Sequence, residues 1–221
     1  EVRFLQLCRK RLGPDFGLRI DPNGVLCVAT AIKAGHLMED LELQYFEDPS
    51  WCIEGMKVVH DAVRIPIATI MFSAKFDDLG PAIHMRSIDI ILTDLHYWEG
   101  PRGVKDLVAV CRTFNLGVAM HSGAEFGVEL AAMLHTASTI PQMTMPGDAH
   151  YHYLMDDIIQ GGKMKYVNGA IKVPDGPGLG VALDEDKMKH YEKYYEKHGD
   201  YYARFHQDPY RPNWYPIVGG I

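Results

Sequence analysis

The chain has 221 residues, 47% of them hydrophobic, enough for one sizeable α/β core, and its formal net charge is −7. An acidic balance without a long basic run argues against nucleic acid as a partner and readily accommodates a bound cation. No apolar run is long enough to span a bilayer, and Cys8, Cys27, Cys52 and Cys111 stand singly, which suits a reducing cytoplasm better than a disulfide framework.

The first predicted element is a helix at 1–12, with Phe4, Leu5, Cys8 and Leu12 on one face. No initiator methionine precedes it, so the segment reads as the middle of a longer protein. Strands then alternate with helices. A strand at 17–20 ends in Asp21-Pro22-Asn23-Gly24, where proline, asparagine and glycine break it and expose two short polar side chains at its tip. A helix at 28–41 leads to a strand at 43–46 ending in Glu47-Asp48-Pro49, and a helix at 53–63 leads to a strand at 66–71. A helix at 77–85 precedes the strand at 88–93, which ends in Asp94. A helix at 102–114 precedes the strand at 116–120, which ends in His121-Ser122. A helix at 126–139 and a sixth strand at 142–145 lead to Asp148-Ala149-His150.

Such alternation indicates parallel βαβ units. The polar tips at 21 and 47, 94 and 121, and 121 and 148 lie 26, 27 and 27 residues apart, and the gap from 47 to 94 holds two units with Ile70 between them. One strand plus one helix repeats at this interval, and a (β/α)₈ barrel carries its chemistry on the loops at the C-terminal ends of its strands. Six units are visible, so two strands are expected ahead of Glu1. The expected organisation is a barrel portion at 1–183 followed by a C-terminal segment at 184–221. Within it, Asn168-Gly169 marks a hairpin turn, and a charged helix at 184–198 starts on Asp184 as N-cap. The aromatic, proline-rich stretch at 201–221 is expected to pack over the barrel or a neighbouring subunit.

In order along the chain, Ile20-Asp-Pro-Asn-Gly24, Phe46-Glu-Asp-Pro49, Ile67-Ala-Thr69, Asp94-Leu-His-Tyr-Trp98, Met120-His-Ser122 and Gly147-Asp-Ala-His150 stand at successive strand ends. This ordered set resembles the enolase superfamily, and within it the glucarate dehydratases of the mandelate racemase subgroup. The segment Pro174-Asp-Gly-Pro-Gly-Leu-Gly180 and the helix after it also resemble the family's C-terminal part.

Asp21 and Glu47 are hard oxygen donors on adjacent tips, which suit Mg²⁺. The resemblance implies that they bind Mg²⁺, which holds a substrate carboxylate, and that Asn23 hydrogen-bonds the substrate. Asp94 can accept the Nδ1–H of His121 and fix its tautomer. The resemblance makes this pair the proton-transfer dyad. His96 and Ser122 are expected to line the pocket. Asp148 and His150 match the acid and histidine of the last barrel strand, with Asp148 touching the substrate or orienting His121. His84, His135, His190, His198 and His206 are read as structural or surface residues.

The implied reaction abstracts the proton α to a carboxylate and expels a β-hydroxyl as water through an enediolate, a hydro-lyase reaction on a sugar diacid. The family precedent also implies a homo-oligomer. Three features depart from the pattern. Ile70 stands where a third metal ligand is usual. Gly123 and Glu125 follow His121-Ser122 where asparagine and a later histidine are common. The Lys-x-Lys pair that the family carries on its second barrel strand is expected ahead of Glu1, and Lys163-Met-Lys165, which falls after the last strand, is rejected as that pair. The alternatives are another acid-sugar dehydratase or a racemase of the superfamily, and a catalytically impaired homologue with a structural or regulatory role.

Overall fold

The computed structural model describes residues 2–123, 125–143, 145–148 and 150–199, and the aromatic segment at 201–221, with the packing expected of it, lies outside them. Two compact units divide the described residues, one built from 2–121, 140–143 and 145–148, the other from 122–123, 125–139 and 150–199.

In the first unit, helices and strands alternate as α1 (Val2–Leu12), β1 (Arg19–Ile20), α2 (Val28–Met38), β2 (Tyr45–Glu47), α3 (Cys52–Ala62), β3 (Ile67–Thr69), α4 (Phe76–Met85), β4 (Ile90–Thr93), α5 (Gly100–Thr113) and β5 (Gly117–Met120). The strands form one parallel sheet in sequence order. A parallel sheet needs cover on both faces, and β2, β3 and β4 are accordingly buried at every residue. The helices supply one side of that cover. Helix α5 shows how: Val104, Leu107, Val108 and Cys111 repeat at helical spacing and are all buried.

Side chains alternate between faces. Phe46, Ile67, Ile91 and Val118 join the core formed with the helices, in which Met38, Met56, Val59, Leu79 and Leu107 also pack. Tyr45, Ala68, Ile70, Ile90, Leu92 and Ala119 form a second cluster. That second face is the inner one. Continuing the alternation past the strand ends places Asp21, Glu47, Asp94 and His121 on it too.

Five predicted strands form, β2 reaching one residue past its expected end to Glu47 and the others trimmed to the residues that share a ladder. The sixth does not: among the described residues, 142–145 contributes one parallel bridge, Val118 to Met143, and further on the Asp148 N–H donates to the Met120 carbonyl at 2.8 Å. Pro141 and Pro146 bound the stretch and have no N–H to donate to a ladder.

Arg9 on α1 ties the entry to the sheet. Its guanidinium donates to the carbonyls of Gly13, Pro14 and Phe16, which lead into β1, and to those of Leu41 and Glu42, which lead into β2. Hydrogen bonds from a charged donor are worth about 1.5–3 kcal/mol each when protected, less when half exposed as here. Arg9→Ala is therefore expected to lower unfolding free energy by about 1–3 kcal/mol in denaturant titration. Arg9→Lys should restore only part, because an ammonium cannot span both loops. A change of a few tenths in the alanine variant would show that water replaces the guanidinium at little cost.

The second unit contains α6 (Gly127–Ser138) and α7 (Glu185–His198). Its centre is Asp157, fully buried, which accepts hydrogen bonds from the Gly127 N–H at the start of α6 and from the Tyr151 hydroxyl. The expected hairpin is present: Val167 and Ala170 exchange both backbone hydrogen bonds across Asn168 and Gly169, both at positive φ (51° and 77°). Asp184 caps α7 by accepting the Lys187 N–H at 3.1 Å, with Glu185 and Asp186 in the first turn. Lys163 donates to the carbonyls of His152 and Leu154 and sits 5.5 Å from the centre of the Tyr151 ring. No helix among the described residues is long and apolar enough to cross a membrane.

Candidate active site

The loops leaving β1 and β2 bring three carboxylates together. One oxygen each from Asp21, Glu47 and Asp48 lies within 4.8 Å of the others. Asp21 accepts the Asn23 N–H at 2.7 Å, closing a tight turn in which Asn23 and Gly24 both take positive φ. Gly24 is required there, because a Cβ would lie 2.8 Å from the Phe72 ring. Asn23 itself is exposed beside the acids.

The crowding shows in the acid strengths. Desolvation, then repulsion from Asp21, Asp48 and Asp148, pushes Glu47 up to about 9, with Arg19 pulling the other way. Desolvation also raises Asp21, to about 6, although the Asn23 N–H opposes it and Asp48 and Asp148 reinforce it. Asp21 remains open to solvent as a residue while Glu47 is only 3% exposed, which accounts for the smaller shift of Asp21. Such a group releases protons when a cation arrives. Hard oxygen donors held this close suit Mg²⁺, with water or substrate oxygens completing the octahedron.

Ile70 is buried on the same sheet face as Tyr45 and Ala68. The ladder sets Ala68 opposite Glu47, so Ile70 stands one pleat period farther along β3. It brings an apolar surface, with no lone pair, to this side of the acids.

The structure brings Asp94 and His121 into contact. His121 Nδ1 lies 2.6 Å from Asp94 Oδ2, and the other oxygen, Oδ1, accepts the His96 N–H at 2.7 Å and lies 3.1 Å from His96 Nδ1. Asp94 is almost fully buried. Burial works to raise its pKa, but the His121 hydrogen bond, the His96 N–H and the two imidazoles hold the carboxyl below its ordinary value. An ionised Asp94 takes the proton of His121 on Nδ1 and leaves Nε2 as the nitrogen that exchanges protons.

Asp148 faces Arg19 at 3.4 Å. Arg19 was not singled out from sequence; it also donates to the Tyr45 hydroxyl at 2.6 Å and to the Pro146 carbonyl at 2.9 Å, and supplies a cation on the acidic inner face. Ser122 and His150 belong to the second unit and contact each other: the His150 N–H donates to Ser122 Oγ at 3.2 Å, and His150 Nδ1 lies 2.7 Å from the Ser122 carbonyl. Ser122 in turn donates to buried Glu125 at 2.6 Å. Sequence reading noted Glu125 only as a departure from a pattern; its place three residues after the serine was the available signal.

Residues 1–187 match the family described as Enolase C-terminal domain-like. A probable glucarate dehydratase from Streptomyces coelicolor is 38% identical over 175 residues, covering 79% of this chain and 40% of that protein. An L-Ala-D/L-Glu epimerase from Clostridium acetobutylicum is 29% identical over 188 residues, covering 82% of this chain and 51% of its own. Among solved structures, an enolase from Pseudomonas fluorescens with bound magnesium, potassium and tartrate superposes with a TM-score of 0.88 at 36% identity, over 96% of this chain and 50% of that one. The chain thus spans about half the length of these proteins or less.

Proposed function

The chain belongs to the enolase C-terminal domain-like family, and on that premise we propose that it carries the cation-binding and proton-transfer portion of a Mg²⁺-dependent acid-sugar dehydratase of the glucarate type. The observation that carries this reading is the His121–Asp94 pair at 2.6 Å on the same sheet face as the Asp21–Glu47 carboxylates. Asp21 and Glu47 would hold Mg²⁺, which would supply positive charge beside a substrate carboxylate and so acidify its α-proton.

Asp94 accepts the Nδ1–H of His121 and aims its Nε2. From there His121 takes a proton from carbon or delivers one on one face of the substrate. Loss of the α-proton leaves its electron pair conjugated with the carboxylate. When that pair forms a double bond to the β-carbon, the β-hydroxyl leaves with a proton from an acid, as water, and the enol relaxes to a 2-keto acid. Asn23, His96 and Asp148 are assigned to substrate hydroxyls and carboxylate. An eight-stranded barrel, the Lys-x-Lys pair for the opposite face and a capping segment are taken to come from sequence beyond these units, in a cytoplasmic homo-oligomer.

The epimerase relative favours one second reading, racemisation or epimerisation with the same residues. Incubating the whole protein with Mg²⁺ and sugar diacids in D₂O separates the two. Dehydration yields a 2-keto acid, whereas racemisation exchanges the α-proton for deuterium with no keto acid. Neither product from any acid sugar would leave the impaired-homologue reading in place.

Ile70 provides a second test. Ile70→Asn offers an oxygen on this face and is expected to tighten Mg²⁺ binding by roughly tenfold, about 1.4 kcal/mol. Calorimetric titration of both proteins decides it, and equal affinities would mean that position 70 does not reach the cation.

A further inference from the structure

Asp48 sits between the residues assigned to the cation and yet is spoken for elsewhere. It is fully buried, and both carboxylate oxygens are occupied: Oδ1 accepts the Thr69 hydroxyl, and Oδ2 accepts the N–H groups of Ile70 at 3.2 Å and Met71 at 3.1 Å. Thr69 Oγ1 accepts the Phe72 N–H at 3.2 Å, so the whole turn after β3 hangs on this one carboxylate. The backbone of Asp48 does a second job. Its N–H donates to the Ala68 carbonyl at 2.9 Å, extending the β2–β3 ladder, and its carbonyl accepts the Gly24 N–H at 2.7 Å from the loop that carries Asp21 and Asn23. The residue adopts φ 36°, a left-handed conformation that aspartate tolerates better than most and that persists only where the surroundings enforce it.

We propose that Asp48 is not a ligand of the cation but the positioning residue of the site, a clamp that ties the tips of β1, β2 and β3 into one unit and so sets the distance between Asp21 and Glu47. The inference rests on the cation reading above only for its metal limb. Three of the roughly four lone-pair sites of this carboxylate already take donors from the β3 side, so its strongest commitments are to the β3 turn rather than to an ion. A clamp instead acts through the backbone. Displacing the β3 turn removes the support of the Asp48 peptide, and the Gly24 loop, bonded to that peptide and packed on Phe72, moves with it.

The experiment is amide hydrogen exchange on the whole protein, wild type against Asp48→Asn, with Mg²⁺ titration by calorimetry on both. The amide of asparagine cannot accept three donors as the carboxylate does. Exchange at Ile70 and Met71 is expected to accelerate at least tenfold. The deciding amide is Gly24, whose acceptor, the Asp48 carbonyl, is untouched chemically: it too should lose at least tenfold protection, and Mg²⁺ affinity should fall in parallel. Protection lost at Ile70 and Met71 but kept at Gly24 would overturn the clamp and leave a local bond. Protection kept throughout with Mg²⁺ binding lost would make Asp48 a ligand and also overturn it. Should the wild type bind no Mg²⁺, the cation reading fails on its own, while Gly24 still judges the clamp. If Asp48→Asn does not fold, Thr69→Val removes one donor at nearly constant volume and should produce the same pattern at smaller amplitude, faster exchange at Phe72 included.

Discussion

His121→Asn is expected to lower kcat on the proposed diacid substrate by at least ~10²-fold while leaving fold and cation binding in place. Asparagine keeps a donor that can reach Asp94, so the carboxylate, buried and hydrogen-bonded to His96 as well, retains a partner. What disappears is the second ring nitrogen. In the proposed reaction, with Nδ1–H given to Asp94, Nε2 is the atom that would exchange a proton with carbon, and no amide has a pKa to replace it. Asp94→Asn should act through the same atom in a different way. It leaves the imidazole present but removes the charge that fixes its tautomer, so kcat should fall less than in the histidine variant and its pH profile should shift. Thermal unfolding and Mg²⁺ titration of His121→Asn should match wild type. Near-normal turnover would remove His121 from the mechanism.

The parts of the fold that were legible in sequence share one property: their signal is local. The strands at 88–93 and 116–120 are short apolar runs bounded by turn residues, and the helices between them carry apolar residues at helical spacing, so β4, α5 and β5 fall where expected. The expected strand at 142–145 is represented among the described residues by one bridge, Val118 to Met143. The dyad was legible because both members stand at the ends of strands whose register could be counted, and the ladder from Ile90–Gly117 to Thr93–Met120 makes Asp94 and His121 neighbours. Asp48 and Arg19 were not. An acid next to Glu47 looks like a loop residue until the turn after β3 is seen to converge on its carboxylate, and an arginine two residues before Asp21 looks like a strand-edge charge until Tyr45 and Asp148 meet it. Both roles depend on contacts between separate strand tips, which no single stretch of sequence encodes.

Glu47→Gln is expected to lower Mg²⁺ affinity by ~10²-fold or more and, without the cation, to leave the protein more stable than wild type already at neutral pH, with the gap widening toward pH 9. Burial and the neighbouring acids push Glu47 up to about 9, so in the cation-free protein its carboxyl holds a proton that the unfolded chain, near the ordinary value of about 4.3, has already released. Between those two values the native state binds more protons than the unfolded state, and stability from this group therefore falls as pH rises. A neutral glutamine of the same shape does not titrate, so it removes that slope. Mg²⁺ opposes the same slope in wild type, because it replaces the proton and stabilises the ionised carboxylate; its affinity should rise as pH climbs from 6, near the value of Asp21, toward 9. Melting curves at pH 5.5 and 8.5, with and without Mg²⁺, would read all of this together. Wild type should lose stability in base and recover it with the cation, and Glu47→Gln should do neither. A wild-type curve indifferent to Mg²⁺ at pH 8.5 would mean that the carboxylates at the tips of β1 and β2 do not hold the ion.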